Sequence, residues 1–130
     1  MTEHPSNNIP EAVRARLNDA LRTMGRKHLK PQYRKLWTPQ TPTVGYCYVV
    51  CEVIHHCLAS CKTRPHILKT RPNRTHWFLK LPNGQVIDWT ANQFSKQLSY
   101  NEARPAAFLT KKMSQRGKIL ADLLGLRIPL

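Results

Sequence analysis

Residues 75–90 read T-H-W-F-L-K-L-P-N-G-Q-V-I-D-W-T. They form two β-prone runs on either side of a turn, and that turn constrains the chain more than any other stretch. In Leu-Pro-Asn-Gly-Gln, proline presets the first turn position, asparagine suits the second and glycine accepts the left-handed conformation. The expected connection is a type I turn followed by a glycine bulge. That three-residue loop sets Leu81 opposite Gln85, so Lys80 faces Val86, Phe78 faces Asp88 and His76 faces Thr90. His76 and Asp88 then share one sheet face as diagonal neighbours, roughly 7 Å apart at their α-carbons. Trp77, Leu79, Ile87 and Trp89 share the other, apolar face. A two-residue Asn-Gly loop is the competing register, and it would place His76 and Asp88 on opposite faces. Proline ahead of Asn-Gly favours the longer loop.

A polar pair placed in this way invites a search for a nucleophile. The run G-Y-C-Y-V-V-C-E-V-I-H-H-C-L-A-S-C spans residues 45–61. Read as a helix, it puts Cys47, Val50, Cys51, Ile54, Leu58 and Cys61 on one stripe, the wide apolar face of a buried helix. Its β-branched start also suits a strand, but continuation through His55, His56 and Cys57 without a breaker favours helix. Gly45 permits a tight entry, so Cys47 falls at the helix start. A thiol there, beside a cationic imidazole, is favoured as the thiolate. Cys51, Cys57 and Cys61 lie deeper, where burial makes thiols inert.

The rest of the chain reads as one compact unit: a frayed stretch over residues 1–8, then a single α+β domain over residues 9–130. Asn8, Pro10 and Glu11 make a helix start. Ile9, Val13, Leu17, Leu21 and Met24 follow at helical spacing and Gly25 stops the helix. Tyr33 and Trp37 are candidate anchors in a basic, proline-punctuated stretch. Residues 62–74, K-T-R-P-H-I-L-K-T-R-P-N-R, read as a proline-broken basic segment. A last helix is expected with Thr110 as its cap, Met113, Ile119, Leu120 and Leu123 as its buried side, and Gly125 as its stop.

Charge narrows the partners. Lys and Arg number 21 against seven Asp and Glu, a formal net charge of +14, which points to nucleic acid or another polyanion. Lys62, Arg64, Lys69, Arg71 and Arg74 cluster ahead of His76 without a local acid and are the candidate anion-binding residues. A merely solvated basic surface is the bland alternative. No RNA-recognition aromatic motif, zinc finger or clear helix-turn-helix signature accompanies the charge. No apolar leader or run near ~20 residues is visible, so the expected location is the cytoplasm, or the host cytoplasm if the protein is phage-encoded, with reduced thiols and no membrane association. The four cysteines, separated by three, five and three residues, do not suggest zinc, because ligands spread along about four helical turns cannot converge on one metal. No cofactor is implied.

The segments G-Y-C-Y-V-V and T-H-W-F-L-K-L-P-N-G-Q-V-I-D-W-T-A-N-Q-F together resemble the YunG family of small bacterial and phage proteins, with Tyr33, Trp37, Phe108, Leu109 and Arg116 fitting loosely. The likeness spans roughly residues 30–120. It implies Cys47, His76 and Asp88 as the family's Cys, His and Asp, in papain-like or transglutaminase-like order. The implied fold is a central helix carrying the cysteine, packed on a small antiparallel sheet, with flanking N- and C-terminal helices.

The resulting expectation is a cysteine hydrolase or acyltransferase working on amide or thioester bonds, on or beside an anionic partner. Cys47 is the nucleophile, His76 the base and Asp88 its orienter. The Cys47 N–H would offer one oxyanion donor. Gln40 is a poor second donor by spacing, and Gln93 reads as structural. Two bland readings stand beside this one: His76 as a satisfied hairpin histidine, and Asp88 as a strand-end acceptor. From a different class comes a non-catalytic nucleic-acid-binding or host-factor-inhibiting protein on the same fold.

Overall fold

The computed structural model describes residues 11–58, 62–70, 74–94 and 96–127. Residues 1–8 and Ile9, expected to be frayed and helical respectively, lie outside them. Helix α1 spans Glu11–Met24, with its acid in the first turn and Leu17, Ala20, Leu21 and Met24 buried. Gly25 ends it at φ 65. A short helix α2, Pro31–Arg34, comes next. Trp37 is then pinned in the core by its indole N–H, which donates to the Pro42 carbonyl at 2.9 Å.

Helix α3, Cys47–Val53, buries all but one of its residues and continues as a π-helical turn over Ile54–Leu58. That turn corrects the expected stripe. A π turn inserts an extra residue and rotates the downstream side chains about the helix axis, so Leu58 is 44% exposed instead of buried. Cys61 lies outside the described residues. Glu52, an acid in the middle of an apolar helix, is fully buried. Its carboxylate accepts from the Ser114 N–H and hydroxyl, tying α3 to the start of helix α4, Gln115–Leu123.

Helix α4 is capped by Ser114, whose oxygen accepts from the Gly117 N–H, and not by Thr110 as expected. The capping side chain is thus the one that also meets Glu52. The buried side is correspondingly Gly117, Leu120 and Ala121, while Leu123 is 42% exposed. Gly117 has no room for a side chain, because a Cβ there would stand 2.5 Å from the Met113 Cγ.

The sheet is antiparallel, with strand order β3-β2-β1-β4. Its strands are β1, Arg64–Thr70; β2, Arg74–Lys80; β3, Val86–Ile87; and β4, Arg104–Pro105. The supposed broken segment at 62–74 is therefore largely a strand between two others. Pro65 is tolerated near its beginning, where a missing donor costs least. The turn into β3 is the three-residue one. The Leu81 N–H donates to the Gln85 carbonyl, the Gly84 N–H donates to the Leu81 carbonyl, each at 2.9 Å, and Gly84 has φ 87. Lys80 faces Val86 and Leu79 faces Ile87. Helix α3 lies across β2, α4 packs on α3, and α1 packs on α4. No described helix is long and apolar enough to cross a membrane.

Candidate active site

Cys47 is the first residue of α3. Gly45 brings it there at φ 80, and a Cβ on Gly45 would meet Leu29 Cδ2 at 2.8 Å and Tyr33 Cβ at 2.9 Å. Only glycine fits that left-handed, closely packed entry. Across the groove runs β2, in which successive side chains alternate between faces. Thr75 is exposed, His76 is 1% exposed, and the Trp77 backbone N–H donates to the Cys47 sulfur at 3.4 Å. The sulfur thus lies against the strand that carries His76.

His76 Nε2 pairs with Asp88 Oδ2 at 2.6 Å, both side chains being 1% exposed. Asp88 comes directly after β3, so the register that aligns Lys80 with Val86 also brings the two together. The carboxylate is saturated with donors. Oδ2 also accepts from the Tyr100 hydroxyl at 2.8 Å, and Oδ1 accepts from the Thr90 N–H and hydroxyl at 3.3 Å each. Phe94 meets the imidazole edge-on at 4.8 Å between centroids. The other ring nitrogen, Nδ1, is buried and meets no partner with full hydrogen-bond geometry. It is the nitrogen left to the neighbouring thiol, the reverse of the serine-protease arrangement in which Nδ1 faces the aspartate.

Burial by itself would lower the His76 pKa. The Asp88 hydrogen bond, the Cys47 thiol and the charges of both overcome burial and raise it to about 10. The ring is then an imidazolium at neutral pH, with one N–H committed to Asp88. Cys51 is buried and pushed well up, first by desolvation, and Cys57 is raised for the same reason.

Of the expected anion-binding residues that the structure describes, only Arg74 lines the cleft, where its guanidinium sits 5.6 Å from the Tyr33 ring centroid. Lys62 and Arg64 are exposed, and Arg64 stands opposite Lys80 at the far end of the hairpin. That is four residues, roughly 13 Å, from the level of His76. Lys69 faces a separate groove with Glu102 and Arg104, and Arg71 lies outside the described residues. Strands β1 and β2 run antiparallel, so Lys62, Arg64 and Lys69 do not gather with Arg74 at the cleft. Gln93 lines the cleft, but its amide donates to the Thr90 carbonyl at 3.0 Å. Gln40 is exposed and absent from the lining. No group of three or more described His, Cys, Asp or Glu could hold a metal ion.

Sequence reasoning missed Tyr100. It comes twelve residues after Asp88 in a polar connector with no periodicity, so no local pattern marks it. The family model described as YunG protein matches residues 13–124, and the chain belongs to that family. No curated protein and no solved structure matches it.

Proposed function

We propose that this member of the YunG family is a cysteine-dependent hydrolase or acyltransferase with a papain/transglutaminase-like core, acting on or beside an anionic partner. One observation carries the reading: Cys47 lines a cleft together with a buried imidazole that is held by Asp88. The sulfur attacks an acyl carbon and forms a thioester. The carbon–nitrogen or carbon–sulfur bond breaks, and the departing amine or thiol takes its proton from His76. Water or an acceptor amine, deprotonated by His76, then displaces Cys47 and returns the thiol. The Cys47 N–H serves the oxyanion. Asp88 fixes the ring orientation.

The test is thiol reactivity. With iodoacetamide near pH 6, Cys47 should alkylate well ahead of Cys51, Cys57 and Cys61, as mapped by mass spectrometry. Cys47→Ala should remove the fast site while changing stability by no more than about 1 kcal/mol, and His76→Ala should slow it. Uniformly slow cysteines would sink the reading. The charge of +14 supports a second one, a non-catalytic nucleic-acid-binding or host-factor-inhibiting protein, for which no thiol need stand out.

A further inference from the structure

The cleft does not end at the sulfur. Two lobes meet at Tyr33, Gly45, Cys47 and Thr75. The larger, about 380 Å³, runs past His76 toward Leu36, Val44 and Phe94, with Arg74 at its side. The smaller, about 150 Å³, runs the other way between Lys30 and Arg116, walled by Tyr48 and Trp77 and edged by Leu109. The rings of Tyr48 and Trp77 meet edge-on at 4.8 Å. Among the described residues, no aspartate or glutamate lines either lobe.

Arg116 is half-buried, and one of its guanidinium N–H groups is anchored on the His28 carbonyl at 3.0 Å. It makes no ion pair among the described residues. Glu52, which shares the Tyr48 neighbourhood with Arg116, is committed to Ser114. A half-buried cation without a counter-charge is costly to keep, and its remaining donors form the planar fork that suits a carboxylate.

We propose that the smaller lobe is a carboxylate subsite, so that the substrate class is an acidic peptide. Its carboxylate would sit between Lys30 and Arg116, its scissile acyl group over Cys47, and a neutral or apolar residue in the larger lobe. This rests on the acyl-transfer reading of Cys47. The dimensions favour a peptide over a nucleic acid. Each lobe holds about one or two side chains, whereas a phosphate backbone needs a stripe of cations, and Lys62, Arg64 and Lys69 lie away from the cleft.

The experiment compares iodoacetate with iodoacetamide, which differ in charge and deliver an equivalent alkyl group with loss of iodide. Cys57 is the internal reference for the overall positive field. At about 0.1 M salt the iodoacetate-to-iodoacetamide rate ratio at Cys47 should exceed that at Cys57 by about tenfold, the scale of one partly screened ion pair. Lys30→Gln with Arg116→Gln should bring the ratio down to that of Cys57. Arg116→Lys should retain most of it, and the equally charge-reducing pair Lys111→Gln and Lys112→Gln should leave it unchanged. Should the double variant not fold, Lys30→Gln alone must still lower the ratio by about threefold; the Lys30 side chain makes no cap bond in α2. A Glu-containing peptide should protect Cys47 better than its Gln counterpart. Fast iodoacetamide reaction with no preference for iodoacetate overturns the subsite and leaves the nucleophile standing. Slow reaction with both reagents removes the nucleophile, and the substrate subsite with it. Protection by a single-stranded oligonucleotide but not by the acidic peptide overturns the proposal in favour of a phosphate polymer.

Discussion

Replacing Asp88 by Asn removes the charge that holds the His76 imidazolium. Asp88 accepts from four donors, two per oxygen, whereas asparagine has one acceptor oxygen and an amide that donates. If that oxygen keeps Thr90, the amide is aimed at the Tyr100 hydroxyl and His76 Nε2. The ring can meet a donor only as the neutral tautomer protonated at Nδ1, which cannot take a proton from the thiol. The rise of His76 from 6.5 to about 10, to which Asp88 and Cys47 both contribute, corresponds to roughly 5 kcal/mol of preference for the charged ring; the Asp88 part lies within that, on the scale of the ~3–5 kcal/mol lost when one partner of a buried pair is removed. The sign comes from linkage. The folded pKa is raised, so the stabilisation is fully present below about 6.5 and is lost as pH rises through about 10. Urea unfolding at pH 6, 8 and 10 should therefore show Asp88→Asn less stable by ~3–5 kcal/mol at pH 6, with the gap narrowing toward pH 10. Cys47 alkylation at pH 6 should fall in parallel. A gap of constant size across that range would mean that Asp88 only satisfies Thr90 and Tyr100, and would refute the ion-pair reasoning.

Gly45→Ala should destabilise by about 2–3 kcal/mol in thermal or urea unfolding, since it combines a left-handed backbone with overpacking against Leu29 and Tyr33. Ser114→Ala removes the α4 cap and the hydroxyl donor to a fully buried Glu52, so a loss of about 2–3 kcal/mol is expected in the same assay. For the nucleic-acid reading, Lys62→Gln, Arg64→Gln and Lys69→Gln together should weaken oligonucleotide binding across sequences and flatten the slope of log K against log salt by about two to three units. No binding at low salt would remove nucleic acid as a partner.

The His76–Asp88 pair was legible because turn chemistry is local. Pro82, Asn83 and Gly84 specify the loop, the loop specifies register, and register specifies which side chains share a face. The helix start at Cys47 was legible through Gly45, whose conformational role is also local. The π turn at Ile54–Leu58 was not legible, because hydropathy continues unbroken across it while the helical phase changes. Glu52 was not legible as a buried group, because its justification is a serine 62 residues away. The α4 cap moved to Ser114 for a related reason: Thr110 and Ser114 are both local cap formers, with serine the better of the two, and Ser114 also meets the buried carboxylate. Tyr100 likewise completes the donor set of Asp88 from a connector without pattern.

Charge shows the same division with a consequence for function. Along the sequence, the cations from Lys62 to Arg74 form the densest run near His76, and a linear reading assigns them to one anion-binding surface. The hairpin carries Lys62 and Arg64 away from the sulfur and turns Lys69 toward a groove that already contains Glu102. The described cations that do flank Cys47 are Lys30, Arg74 and Arg116, contributed by the start of α2, the start of β2 and the first turn of α4. Three elements distant in sequence thus converge around one thiol, and among the described residues no acid lines the space between them. A diffuse positive surface would attract any polyanion and would depend steeply on salt. A cation fixed by its own hydrogen bond and walled by aromatic rings selects instead by geometry, and its effect should persist at salt concentrations that erase the diffuse term. The persistence of the iodoacetate preference at about 0.5 M salt, where the Debye length is only about 4 Å, separates local recognition from the charge of the whole chain.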